Sequence, residues 1–213
     1  LSAGSPVDPV PASVKQAPAA ASDAPNAPGY PVTAGSTDMR DAIHAWFRDL
    51  RGVDLGAVNA GVVPTVGSKE AVALMASLLR LGPGDVVVQP KVSYPTYEIG
   101  TQLAGATVLK VDDVADIDSW VDVPGVKAVW VNSPCNPTGE VLGTDWLAGI
   151  VAAARRIGAV VLSVMLPLMN IMATSSRANS FFIILFSFSI YCPWSGDNLM
   201  NALYRLYDIT SIG

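Results

Sequence analysis

Val126-Lys127-Ala128-Val129-Trp130-Val131 followed by Asn132-Ser133-Pro134-Cys135-Asn136-Pro137-Thr138-Gly139 is a buried strand that runs into a rigid turn. The run from Val126 to Val131 is apolar on both faces except at Lys127, the pattern of a strand covered on both sides. Two prolines and a glycine in residues 132–139 fix the turn that follows. In an open α/β sheet, ligands sit beyond the carboxyl ends of the strands, and here Asn136 offers an amide donor to a ligand oxygen.

Working outward from that stretch, helices and strands alternate. Downstream, Thr144 is expected to cap a helix with Leu147, Ile150, Val151 and Ala154 on its apolar stripe. Arg155 and Arg156 suit its C-terminal dipole, Gly158 ends it, and Ala159 to Leu162 is the next strand. Upstream, Ser68 to Leu81 reads as a helix whose stripe is Ala71, Leu74, Met75, Leu78 and Leu79. Gly82-Pro83-Gly84-Asp85 stops it, and Val86-Val87-Val88 is a strand. Pro95 to Ala104 is expected to be helical and Thr107 to Leu109 a short strand. This rhythm predicts an α/β domain with a mainly parallel sheet and flanking helices.

Composition narrows the function. The chain has 213 residues, enough for one large domain or two small ones, and 51% of them are hydrophobic. Lys plus Arg is 13 and Asp plus Glu is 18, a net charge of −5. That balance argues against a nucleic-acid partner, which needs a basic face. Cys135 and Cys192 cannot make a disulfide framework, and no Cys/His cluster suggests a metal. The single histidine, His44, lies in a helix-like stretch from Met39 to Leu50 and reads as structural. No secretory signal is visible after Leu1, whose position suggests a missing or processed start, and a cytoplasmic location is expected.

Three zones follow from the same reading. Residues 1–36 carry seven prolines, from Pro6 to Pro31, which forbid one long helix and on composition favour a flexible linker. Residues 37–163 hold the α/β pattern. Residues 164–213 are different material, with Phe181, Phe182, Phe186 and Phe188 among them and no lysine after Lys127. The apolar run Phe181 to Tyr191 is too short for a membrane span, which needs about 20 residues.

Two more motifs flank the central one. Thr65-Val66-Gly67-Ser68-Lys69-Glu70 is a small-residue turn opening a helix, whose free N–H groups and dipole suit a phosphate; equally, Ser68 is an ordinary cap. Neither GxxxxGK[ST] nor GxGxxG occurs. Ser93-Tyr94-Pro95-Thr96-Tyr97 follows a strand, where an aromatic ring either stacks on a flat cofactor or simply packs.

Gly67-Ser68-Lys69, Tyr94-Pro95-Thr96-Tyr97 and Asn136-Pro137-Thr138-Gly139, in this order and spacing, resemble the class I/II aminotransferases of pyridoxal-phosphate fold type I. Gly4-Ser5-Pro6, Pro28-Gly29-Tyr30-Pro31, Gly35 and Met39-Arg40 are similar to that family's N-terminal region. The wording of residues 4–9 and 94–98 most resembles actinobacterial succinyldiaminopimelate aminotransferases. The match covers residues 1 to about 163, so the resemblance implies a partial, truncated large domain of the pyridoxal-phosphate transferase fold. Its zones would be an arm (1–36), the partial cofactor-binding domain (37–163) and a tail outside the family pattern (164–213).

The resemblance implies pyridoxal 5′-phosphate as cofactor, amino-acid and keto-acid substrates, and a homodimer. Gly67, Ser68 and Lys69 would bind the phosphate, Tyr94 would stack on the pyridine ring, and Asn136 would bond its phenolic oxygen and help seat the substrate carboxylate. Tyr30 would reach the phosphate of the partner subunit, and Gly4 would lie beside the substrate carboxylate. A cis bond is implied between Asn136 and Pro137. The proline-rich start becomes an ordered arm.

The family also needs a lysine that tethers the cofactor and an aspartate that keeps the ring nitrogen protonated. The aspartate belongs in an Asp-Glu-x-Tyr setting after the strand ending near Ser163, where this chain has Val164-Met165-Leu166-Pro167. Lys69 sits at the wrong end of the site, so no catalytic residue is assigned. The expectation is an aminotransferase by descent that is incomplete and inactive as this chain, with a shifted reading frame, read-through or gene-model error behind residues 164–213. A non-catalytic remnant, another fold type I enzyme such as a lyase or decarboxylase, and a membrane-tethered variant are the alternatives.

Overall fold

The computed structural model describes residues 9–164 except 31, 33, 58, 59 and 66, together with the backbone of 182–185. The described residues fall into two compact units that divide between Pro64 and Thr65.

The first unit holds two helices. α1 (Ala12–Ala21) tolerates Pro18 in its interior. Its alanines, the best helix formers, outweigh one proline over so short a span. Composition alone pointed to a linker here, and the helix corrects that expectation. α2 (Thr37–Arg51) has both ends encoded: the Ser36 side chain accepts from the Met39 N–H, and Gly52 stops the helix in the left-handed region at φ 65°. Ala42, Ile43, Trp46 and Phe47 form its buried face, while His44 is half-buried. The Arg51 guanidinium lies 4.8 Å from the centre of the Trp46 ring.

The second unit is a sheet with helices on both faces. Its elements are α3 (Ser68–Leu78), β1 (Val86–Pro90), α4 (Thr96–Leu103), β2 (Thr107–Val111), β3 (Val126–Asn132), α5 (Thr144–Ile157), β4 (Val160–Val164) and β5 (Phe182–Leu185). The strand order is β2-β1-β3-β4-β5, and every pairing is parallel. β1 and β3 are apolar on both sides because both sides are covered. Val87, Ala128, Trp130 and Leu162 face α3 and α4. Val88, Val129, Val131 and Val161 face α5 and the buried Trp120. A register irregularity between Val86 and Val87 lets Val126 join the α5 side as well.

Two expectations need correction. The buried residues of α3 are Ala71, Val72, Met75 and Ala76, whereas Leu74 is 47% and Leu78 68% exposed. The helix is rotated from the expected stripe because small residues let it lie close to the sheet. At α5 the cap position belongs to Gly143, in extended backbone, and Thr144 is the first helical residue without a capping side-chain bond. The call for close approach is clearest at Gly100 in α4, where a Cβ would come within 2.6 Å of the Ala73 carbonyl oxygen of α3.

β5 pairs with β4 from Val161 opposite Phe182 to Val164 opposite Leu185, so backbone beyond residue 163 extends the sheet. No helix among the described residues is long and apolar enough to cross a membrane.

Candidate cofactor site

The strand order sets the location. From β1 the chain passes through α4 on one face to β2; from β3 it passes through α5 on the other face to β4, its neighbour on the opposite side. The connections therefore diverge between β1 and β3, and a crevice opens beyond their carboxyl ends. The turns after both strands carry the motifs read from the sequence.

Beyond β1, Tyr94 is half-buried and packs against the α3–α4 side of the core. Its ring meets Tyr97 edge-on at 5.9 Å, and Tyr97 in turn stacks on Trp130 of β3 at 4.4 Å and 13°. These three rings tie the turn after β1 to the strand beside it. Burial pushes the Tyr97 phenol well above its ordinary range, and Cys135 and Tyr94 add to that push. Cys135 therefore lies close to the same ring cluster.

Beyond β3, the chain turns back at once. The Gly139 N–H donates to the Cys135 carbonyl at 2.6 Å, and the Cys135 N–H donates to the Glu140 carbonyl at 2.8 Å. Gly139 sits at φ 76°, a left-handed conformation suited to glycine. The Leu142 N–H donates to the buried Ser133 hydroxyl at 2.9 Å. The Asn136–Pro137 bond is cis as expected, and so is Ser133–Pro134. Asn136 itself is exposed, held at the turn's tip.

At the start of α3, Gly67 adopts φ 82° and ψ 157° and makes no side-chain cap bond. A glycine at this position offers no side chain to the first N–H groups of the helix. Ser68 is half-buried and Lys69 exposed. α3 packs through Ala71, Val72 and Met75 into the core that holds Tyr97 and Trp130, with Tyr94 against it. Thus α3, which Gly67 to Lys69 open, and Tyr94 belong to the α3–α4 side of the sheet, while Asn136 stands exposed in the turn beyond β3. Tyr30 lies in the other unit, fully exposed, and Gly4 lies outside the described residues.

Three side-chain oxygens at the strand ends are buried without a partner among the described residues: Gln89 Oε1, Asn132 Oδ1 and Ser163 Oγ. Alternation with Val87 and Trp130 puts Gln89 and Asn132 on the α3–α4 side; Ser163 pairs with Val131 and faces α5. Val164, opposite Asn132, also packs on the α3–α4 side. Sequence reading placed Asn132 in the turn and passed over Gln89. Both lie at strand ends beyond the apolar runs that marked β1 and β3, and only the burial of both faces makes a polar residue there unusual.

A parallel sheet covered by helices on both faces, with motif-bearing turns beyond β1 and β3, is a doubly wound α/β fold. The comparisons with known proteins refine that class. The sequence model of "Aminotransferase class I and II" matches residues 1–163, and the chain belongs to that family. It is 42% identical over 163 residues to a probable aminotransferase of Mycobacterium tuberculosis, covering 76% of this chain and 37% of the relative. It is also 42% identical over 163 residues to the 4-dedimethylamino-4-oxo-anhydrotetracycline transaminase OxyQ of Streptomyces rimosus, covering 76% and 43%. Among solved structures, N-succinyldiaminopimelate aminotransferase of Mycobacterium tuberculosis superposes with a TM-score of 0.64 at 33% identity, over 76% of this chain and 44% of that one. The chain thus spans less than half the length of these relatives.

Class I and II aminotransferases are pyridoxal-phosphate-dependent enzymes, and the residues present fit two parts of that cofactor. The uncapped α3 start suits its phosphate, and the Tyr94 edge of the ring cluster offers a flat partner. At β4 the side chain on this face is Val164, which supplies no charge for a ring nitrogen.

Proposed function

We propose that the matched region is the cofactor-holding part of a pyridoxal-phosphate-dependent aminotransferase, one that moves an amino group between an amino acid and a keto acid. The observation that carries this reading is the Asn132–Gly139 turn at the carboxyl end of β3, next to the strand whose following turn holds Tyr94, inside the family match. The likeness to N-succinyldiaminopimelate aminotransferase supports a succinyldiaminopimelate-like amino donor in lysine and diaminopimelate biosynthesis.

The roles follow by position. Gly67, Ser68 and Lys69 bind the phosphate, mostly through backbone N–H groups. Tyr94 stacks on the ring, and Asn136 donates its amide to the phenolic oxygen and steadies a substrate carboxylate. Gly4 lines the carboxylate site. Tyr30, exposed in its own unit, serves the phosphate of a partner subunit in a cytoplasmic homodimer. When bound, pyridoxal phosphate supplies an electron sink for the substrate's α-carbon.

As this chain, the protein holds the cofactor reversibly and does not turn over. Supporting this, no lysine follows Lys127 in the sequence, and Val164 stands where the resemblance puts an aspartate. Without that lysine the site lacks both a covalent tether and a proton carrier. Residues 164–213 then derive from a shifted reading frame or a gene-model error. Reading the encoding DNA past the Ser163 codon in the other two frames should recover an Asp-Glu-x-Tyr motif.

The deciding experiment is borohydride treatment of the chain with pyridoxal phosphate, followed by mass spectrometry. Reversible binding without a unique lysine adduct is expected. A stoichiometric adduct at one lysine would overturn the claim of inactivity, and no binding at all would favour a remnant without cofactor function.

A further inference from the structure

Gln89 is the residue of β1 that the functional reading leaves unused. It is 2% exposed, second to last in its strand, and lies on the α3–α4 side. A buried amide in an otherwise valine-rich strand costs stability unless it does something there. Its Nε2 donates to the Ser93 hydroxyl at 3.2 Å, across the turn that leaves the strand. Its Oε1 has no partner among the described residues, so the bond to Ser93 is made although the other half of the amide goes unsatisfied.

Ser93 directly precedes Tyr94, and the Tyr94 carbonyl accepts the Tyr97 N–H at 3.1 Å as α4 begins. α4 itself has no side-chain cap bond at its start. The Gln89–Ser93 bond therefore ties this turn to the strand it leaves from the buried side, while the exposed Lys91–Asp112 pair ties its first residue to the end of β2. Beside Gln89, Asn132 is 7% exposed with its Oδ1 also unpartnered, on the same face of the adjacent strand.

We propose that Gln89 is a positioning residue of this site: by pinning Ser93 it sets the Tyr94 ring on its Tyr97–Trp130 support. A leucine at 89 would fill the same space and remove an unsatisfied polar group, yet leave the turn unpinned. The consequence for cofactor binding rests on the pyridoxal-phosphate reading above; the pinning of the turn does not.

The test uses the full chain and the variants Gln89→Leu, Ser93→Ala and Ser93→Thr. Hydrogen exchange by mass spectrometry reads residues 94–99, whose Tyr97 and Ile99 amides bond to Tyr94 and Pro95. Loss of one hydrogen bond should speed exchange there about three- to tenfold in Gln89→Leu and in Ser93→Ala, with α5 unchanged. The double variant should be no worse than either single one, and Ser93→Thr, which keeps the hydroxyl, should behave as wild type. Pyridoxal phosphate titrated by absorbance should bind about three- to tenfold more weakly to both disruptive variants. Wild-type exchange at 94–99 in Gln89→Leu would overturn the proposal, as would additive effects in the double variant. If Gln89→Leu fails to fold, Ser93→Ala against Ser93→Thr decides. A wild-type chain that ignores pyridoxal phosphate sinks the cofactor reading, while the exchange comparison still judges Gln89.

Discussion

The carboxyl ends of β3 and β4 lie side by side in register, Asn132 opposite Val164, and they end very differently. β3 runs into a turn held by four internal hydrogen bonds, all within the family match. β4 reaches Ser163, where the match stops, and continues as strand through Val164. The sheet accepts both endings because a strand needs only apolar side chains and backbone partners. The chemistry distinguishes them, because a site needs particular groups at those same ends. The family match and the sheet therefore part company at one residue here.

The comparison breaks most sharply at Trp130. Trp130→Ala removes the stacked partner of Tyr97 and the centre of the α3–α4 side of the core. A loss of about 3–5 kcal/mol is expected by urea denaturation. A loss below about 1 kcal/mol would mean the ring cluster does not hold the β3 end together.

Alkaline pH probes the same cluster more gently. Tyr97 is held neutral by burial, so its folded pKa lies above the unfolded value near 10. Between those values the unfolded chain has lost a proton that the folded one keeps. Stability is then fully present below about pH 10 and falls above it, by at most about 1.4 kcal/mol per pH unit. Tyr97→Phe should flatten that part of the urea-midpoint profile, and an unchanged slope would place the titrating group elsewhere.

At the β4 end the effect should be small and of opposite sign. Ser163 is fully buried with its hydroxyl unpartnered among the described residues. Ser163→Ala is expected to hold stability constant or raise it by up to about 1 kcal/mol in the same assay. A marked loss would show that the hydroxyl has a partner after all.

Much of the fold was legible in the sequence because its signals were local. Gly52 and Gly158 end helices in left-handed backbone, and the valine-rich runs of β1 and β3 lie where periodicity put them. What escaped depended on contacts. Leu74 and Leu78 fit an apolar stripe at helical spacing, but the sheet took the smaller Ala71, Val72 and Ala76. α1 was obscured because proline count outweighed the alanines between the prolines. The site's turns could be read from proline, glycine and asparagine, which carry their geometry in their own covalent structure. Gln89 could not, since only the strand's burial on both faces makes a glutamine there unusual.

The close fit of Gly100 against Ala73 has one more consequence. α3 begins at the Gly67 turn and α4 begins just after Tyr94, so this contact clamps the two helices into a single plate. A side chain as small as a methyl group at position 100 would wedge them apart and change the distance between the Gly67 turn and Tyr94. Because the atom it meets is backbone, neither helix can yield locally, and the whole plate must open to admit it.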